Sequence, residues 1–223
     1  MFIQIDNLVK QYGRGETAVR AIGGIGLEVE KGDFVAIMGE SGSGKSTLLS
    51  VMGALNSPTE GGYRVGDVDV YALGQDQRAE FRRDYLGFVF QSFNLIPYLT
   101  VMENVMLPLA IVKMKEKKKR SAARDALDRV GINGKAHRLP SEISGGEQER
   151  TAIARAIVNR PPILIADEPT GNLDSGTSGE IMALFQSLNN DGMTIIMVTH
   201  NSDCALYARK IFHISDGLLV EPH

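Results

Sequence analysis

The chain has 223 residues, 43% of them hydrophobic and 23% charged, and a formal net charge of −3. That balance suits a single domain with a full core and room for an inserted subdomain, and it excludes general disorder. It also gives no overall positive field to favour nucleic acid or an acidic bilayer.

The first residues, MFIQIDNLVKQYG, lack the basic-then-apolar pattern of a secretory leader. Phe2, Ile3 and Ile5, then Ile25, Leu27 and Val29, alternate with polar residues, which predicts antiparallel strands. Gly23, Gly24 and Gly26 begin a dinucleotide-binding pattern. Val29 stands where its last glycine belongs, and the idea fails there. Phe34–Met38 is a continuous apolar run ending in a glycine-rich turn, as expected of a strand buried on both faces of a parallel sheet. Lys45–Leu55 has helical spacing, closed by the breaker Asn56-Ser57-Pro58.

Residues 100–158 carry helical periodicity interrupted by Pro108 and Gly131. The longest nearly apolar run, Val105–Val112, falls far short of the ~18 residues needed to span a bilayer. Lys113–Arg120 is a strong basic run and reads as a solvated face. Ile163–Ala166 and Thr194–Thr199 are further buried strand candidates, with a helix near Ser178–Leu188 between them. Strand–helix alternation around a helical block implies an α/β sheet with a helical insertion. Cys204, the single cysteine, cannot form an internal disulfide, so a cytosolic setting is expected. It follows His200 by four residues and shares its helical face if that segment is helical. Two ligands do not complete a zinc site, and a packed thiol is the expectation.

The chemistry concentrates in a few segments. Gly39-Glu40-Ser41-Gly42-Ser43-Gly44-Lys45-Ser46 satisfies G-x-x-x-x-G-K-[ST] between a predicted strand and a predicted helix. Glycines let backbone N–H groups turn onto phosphates, and the helix from Lys45 through Ser46 and Thr47 points its positive end at the same anion. Lys45 is a point charge for the β- and γ-phosphates, and the Ser46 hydroxyl is a Mg²⁺ ligand. The run from Ile163 to Ala166 ends in Asp167 and Glu168, placed to hold Mg²⁺ through its water shell and to act on an attacking water.

Ser144-Gly145-Gly146-Glu147-Gln148 precedes a helix-like run. With the two segments above, it resembles the signature of the ABC ATPase family, with Glu147 in place of a usual Gln. The resemblance implies an α/β fold: a P-loop NTPase core, an N-terminal antiparallel β subdomain and an inserted α-helical signature subdomain at about 92–158, together one nucleotide-binding domain over 1–223. It implies that Tyr12 stacks on adenine, and that Gln91 senses Mg²⁺ and contacts a membrane partner. It implies further that the loop with Asp174 crosses a dimer interface, that His200 contacts the γ-phosphate, and that Ser144–Glu147 serve the second subunit's ATP. ATP and Mg²⁺ are the implied cofactors.

The details around Gln91 and Asp167 look most like the lipoprotein-release and macrolide-export branch. That likeness implies a homodimer in the ATP-bound state on the inner face of the membrane, driving a separate transmembrane permease with a large extracytoplasmic domain. No nucleic acid and no lipid anchor of its own are implied. Apolar anchors for the permease are expected at Phe93, Leu95, Ile96 and Tyr98. A GTPase is disfavoured by the lack of N-K-x-D, and a DNA- or ribosome-acting ABC ATPase by chain length. A regulatory ABC ATPase controlling a membrane partner, as in cell division, stays open beside transport.

Overall fold

The computed structural model describes residues 1–13 and 15–220. In chain order its elements are β1 (Ile3–Tyr12), β2 (Val19–Val29), β3 (Phe34–Met38), α1 (Lys45–Met52), β4 (Glu60–Val65), β5 (Val68–Asp69), α2 (Gln75–Tyr85) and β6 (Leu86–Phe90). There follow α3 (Val101–Met106), α4 (Glu116–Arg129), α5 (Gly145–Ile157), β7 (Ile163–Asp167), α6 (Ser175–Asn190), β8 (Thr194–Val198), α7 (Ser202–Ala205), β9 (Lys210–Ser215) and β10 (Leu218–Val220).

Two sheets result. The first is antiparallel, in the order β2-β1-β4-β5, and Ile3 faces Val29 while Ile5 faces Leu27 as the alternation requires. The second runs β10-β9-β3-β8-β7-β6, and its β9-β3-β8-β7-β6 part is parallel. Its central strands are apolar throughout because both faces are covered. Val35, Ile37, Ile163, Ile165, Ile196 and Val198 pack towards α1 and the antiparallel sheet. Their neighbours Ala36, Leu164, Ala166, Ile195 and Met197 pack towards α6 and the helices between β6 and β7. The parallel sheet is therefore the middle layer between two cores.

Two expectations need adjustment. Helix α1 ends at Met52 rather than Leu55: Gly53 N–H donates to Leu49 O, Ala54 N–H closes onto Val51 O, and Ala54 is left-handed at φ 52°. The Phe88 ring lies against Gly53, where a Cβ would come within 2.7 Å of it. His200 and Cys204 do not share a helical face: α7 begins only at Ser202, capped by Asn201. Cys204 is a buried thiol, 3.2 Å from the Thr170 hydroxyl. Among the described residues, no helix is long and apolar enough to cross a membrane. No group of three or more His, Cys, Asp or Glu side chains there could hold a metal alone.

Candidate active site

The loop between β3 and α1 has a backbone shaped like an anion cradle. Gly39, Gly42 and Gly44 have φ of 157°, 82° and 103°, a region that L side chains resist. Side chains would also collide: a Cβ on Gly39 runs into the Ile214 carbonyl, and one on Gly44 into the Ala21 carbonyl. Gly44 supplies α1 with no side-chain cap and the first turn holds no acid, so its N–H groups face outward unneutralised. Lys45 is buried, its ammonium donating to the carbonyls of Gly39 at 2.8 Å and Glu40 at 2.6 Å. The Ser43 hydroxyl oxygen is buried with no hydrogen-bond partner among the described residues. An unspent buried hydroxyl, an uncapped helix end and a buried cation together fit a phosphate chain. Glu40, Ser41, Ser46 and Thr47 complete the loop and first turn, with Ser46 exposed.

Register brings the remaining chemistry to the same edge. Phe90 pairs with Asp167, Asp167 with Val198, and Val198 with Ile37. Residues just past these strand ends, Gln91, Glu168, His200 and the loop from Gly39, therefore crowd the carboxyl edge of the parallel sheet. Ligands bind at that edge in open α/β folds. Glu168 sits at φ 50°, costly for a non-glycine residue and common where a side chain must be aimed. Its N–H donates to Val198 O, and Glu168 Oε1 lies 2.8 Å from His200 Nδ1. Glu168 is 15% exposed against 68% for His200, so the carboxylate is sheltered and the imidazole reaches outward.

Burial first, and the Glu168 charge second, raise the Asp167 carboxyl above its usual range, while Lys45 opposes them. Ser46 and Asp167 side chains make no hydrogen bond among the described residues, so both remain available. Ser46, Asp167 and the Gln91 amide each carry an oxygen donor of the kind that Mg²⁺ takes. Gln91 itself packs over Gly171, where a Cβ would meet its Nε2 at 2.7 Å, and its carbonyl accepts from Asn172 Nδ2 at 2.7 Å.

A family model described as ABC transporter matches residues 22–171. The chain belongs to the ABC transporter family. It is an ATP-binding cassette and an ATPase. The MacB macrolide export ATP-binding/permease protein of Syntrophobacter fumaroxidans is 48% identical over 223 residues, 99% of this chain but 31% of its own length. The MacB of Rhodopirellula baltica is 45% identical, with 32% of its length covered, so the chain spans about a third of these relatives. YvrO, an uncharacterised ABC transporter ATP-binding protein of Bacillus subtilis, is 44% identical, the match covering 98% of this chain and 95% of YvrO. The cassette MJ0796, solved as a dimer in a post-hydrolysis state with ADP and Pi, superposes at TM-score 0.89 with 42% identity, covering 98% and 97% of the two chains.

Within this ABC cassette the signature stands apart from the phosphate loop. Ser144 caps α5, accepting from Glu147 N at 3.3 Å, and Glu147 Oε2 accepts from Ser144 N at 2.9 Å. This capping box explains why an acid is tolerated in place of glutamine. The neighbours of Gly145 and Gly146 are Leu173 and Thr177, whereas those of Gly39 and Gly44 are Ser43, Ile214, Ala21 and Gly217. Among the described residues no hydrogen bond joins the two segments. Asp174 is occupied as the cap of α6, accepting from Thr177 N at 3.0 Å and Thr177 Oγ1 at 2.6 Å. Tyr12, at the end of β1, is 43% exposed, with Lys10 Nζ over its ring 5.1 Å from the centre.

Sequence reasoning missed two residues of α5. The Arg155 guanidinium donates to the carbonyls of Phe93 and Asn94, both left-handed, and so ties the signature helix to the loop after Gln91. Glu149 is 0% exposed and neither carboxyl oxygen has a partner among the described residues. Burial pushes it up to about 8, with Arg155 opposing. Its only sequence signal is an acid on a face otherwise filled by Ala152, Ile153 and Ala156.

Of the residues expected to anchor a permease, Phe93, Leu95 and Ile96 are half-buried and Tyr98 is 78% exposed. A groove of about 460 Å³ beside this loop is lined by Leu55, Leu86, Phe88, Phe90, Pro108 and Ile111, and the 92–98 stretch adds only Asn94 to its described lining. The Arg155 clamp turns the chain at Phe93 and Asn94, and the buried Asn104 holds the carbonyls of Ile96, Leu99 and Thr100 through its Nδ2.

Proposed function

We propose that this cassette hydrolyses ATP in a head-to-tail homodimer and drives a membrane permease, for export or for mechanical release at the membrane. The convergence of Lys45, Asp167, Glu168, Gln91 and His200 on one sheet edge, with Ser144–Glu147 turned elsewhere, supports it best. One chain offers a phosphate cradle without a lid, and a second copy supplies the lid from its α5 end.

In this reading Lys45, Ser43 and the 39–47 loop hold the phosphates, and Tyr12 stacks on the base. Ser46, Asp167 and Gln91 hold Mg²⁺, which neutralises phosphate charge when bound. Glu168 orients and deprotonates the attacking water while His200 fixes its carboxylate and reaches the γ-phosphate. Asp174 lies at the subunit boundary through the loop it anchors.

Glu168→Gln tests this directly. Turnover should fall by about 10²–10⁴ while an ATP-bound dimer accumulates, as read by light scattering. Near-normal steady-state hydrolysis would remove Glu168 from the role. The MacB relatives carry ATP-binding and permease functions in one protein, so a permease is the proposed partner here, holding the cassette at the inner face of the membrane. The apolar groove beside Asn94 and Ile111 is its dock in this proposal. Ile111→Asp should lower co-purification with the membrane partner severalfold, and undiminished recovery would place the dock elsewhere.

A further inference from the structure

Glu147 is the acid in the first turn of α5, at the helix end assigned above to the other subunit's ATP. Its position is contradictory. A helix N-terminus carries roughly half a positive charge, which a carboxylate at its mouth cancels. A triphosphate brought to that mouth would meet like charge in a site from which dimer closure excludes water, where repulsion is least screened.

Lys135 resolves it. One Glu147 oxygen, Oε2, is spent in the cap on Ser144 N, while the other, Oε1, lies 3.0 Å from Lys135 Nζ. Lys135 is delivered by a tight turn, Asn133–Lys135, with its N–H on Ile132 O and its carbonyl accepting from Arg138 N. The cap bond first, and Lys135 second, hold Glu147 below the usual carboxylate range, so the acid is charged at neutral pH. Lys135 is 45% exposed, and an ion pair that open contributes little to folding. A glutamine at 147 would keep the cap bond without charge and would need no cation.

We propose that Lys135 is a positioning residue of the nucleotide-dependent dimer, neutralising Glu147 so that the α5 end can receive the triphosphate bound by a second copy of this chain. The inference rests on the head-to-tail dimer proposed above.

The test uses the full chain in a Glu168→Gln background, where hydrolysis does not drain the dimer. Dimerisation is followed by light scattering over an ATP titration. Lys135→Met should raise the ATP needed for half-dimerisation about tenfold or more. Adding Glu147→Gln should restore the parent's midpoint, and Lys135→Arg should match the parent. A bridge that only held the turn would be broken in Lys135→Met, Glu147→Gln and the double variant alike. Equal defects in all three, or a parent-like Lys135→Met, would therefore overturn the proposal. If thermal melting shows Lys135→Met unfolded, Glu147→Gln alone decides: it should dimerise at the parent's ATP level or below, and a loss overturns the idea. A parent that never dimerises with ATP sinks the head-to-tail reading itself, and this inference with it.

Discussion

The two helices that begin in glycine-rich turns, α1 and α5, differ in what stands at their N-termini. The α1 end has no side-chain cap and no acid in its first turn, and its buried cation Lys45 is partnered by two carbonyls. The α5 end is already capped by Ser144 and Glu147, and its buried ionisable group, Glu149, has no hydrogen-bond partner among the described residues. One end is complete within a single chain and open to an anion. The other is self-satisfied within the chain. In the proposed dimer, the uncapped helix end would serve binding and the capped one assembly.

The largest expected effect breaks the first half of that contrast. Lys45→Ala removes the buried cation and should weaken Mg-ATP binding by about a hundredfold or more in calorimetric titration. An unchanged dissociation constant would mean that the loop only shapes the backbone. Ser144→Arg acts on the other end. It should leave ATP binding by the monomer within about twofold and abolish ATP-dependent dimerisation in light scattering. A normal dimer from that variant would erase the distinction between the two ends.

The smallest effect sharpens the contrast between a partnered and an unpartnered buried charge. Glu149 titrates near 8 in the folded chain against an ordinary 4.5, so the native state keeps a proton that the unfolded chain has released. Its contribution is full below about pH 4.5 and declines as pH rises towards 8, because there the unfolded state binds fewer protons. Glu149→Gln should remove that decline, which linkage puts at up to roughly 4 kcal/mol by pH 8, measured by denaturant unfolding at several pH values. A pH dependence identical to the parent's would show that Glu149 is solvated or paired.

Much of this was legible because local rules and global packing agreed. Continuous apolar runs at Phe34–Met38, Ile163–Ala166 and Thr194–Thr199 marked strands covered on both faces, and G-x-x-x-x-G-K-[ST] marked the turn between strand and helix. Where the two diverged, the reading fell silent. Helix α2 buries only Phe81, and β4 opens with Glu60 and two glycines, so neither carries a strong period. Strands β9 and β10 are only partly buried at the sheet edge and read as neither alternating nor continuous.

The sequence by itself determined which residues are candidates for phosphate and acid chemistry, because glycine freedom, lysine charge and carboxylates at strand ends are local properties. Only the tertiary structure decided how they combine. Strand register set Phe90, Asp167, Val198 and Ile37 side by side and so assembled the edge from four distant segments. Packing pressed Gly146 onto Thr177, turning the signature towards α6 rather than towards its own phosphate loop. The same packing brought Lys135 to Glu147 and Arg155 to Phe93 and Asn94, pairings twelve or more residues apart that no spacing rule reveals. Contacts of that range form only once layers close around a shared core, which is why the chemistry was readable in the chain and its arrangement was not.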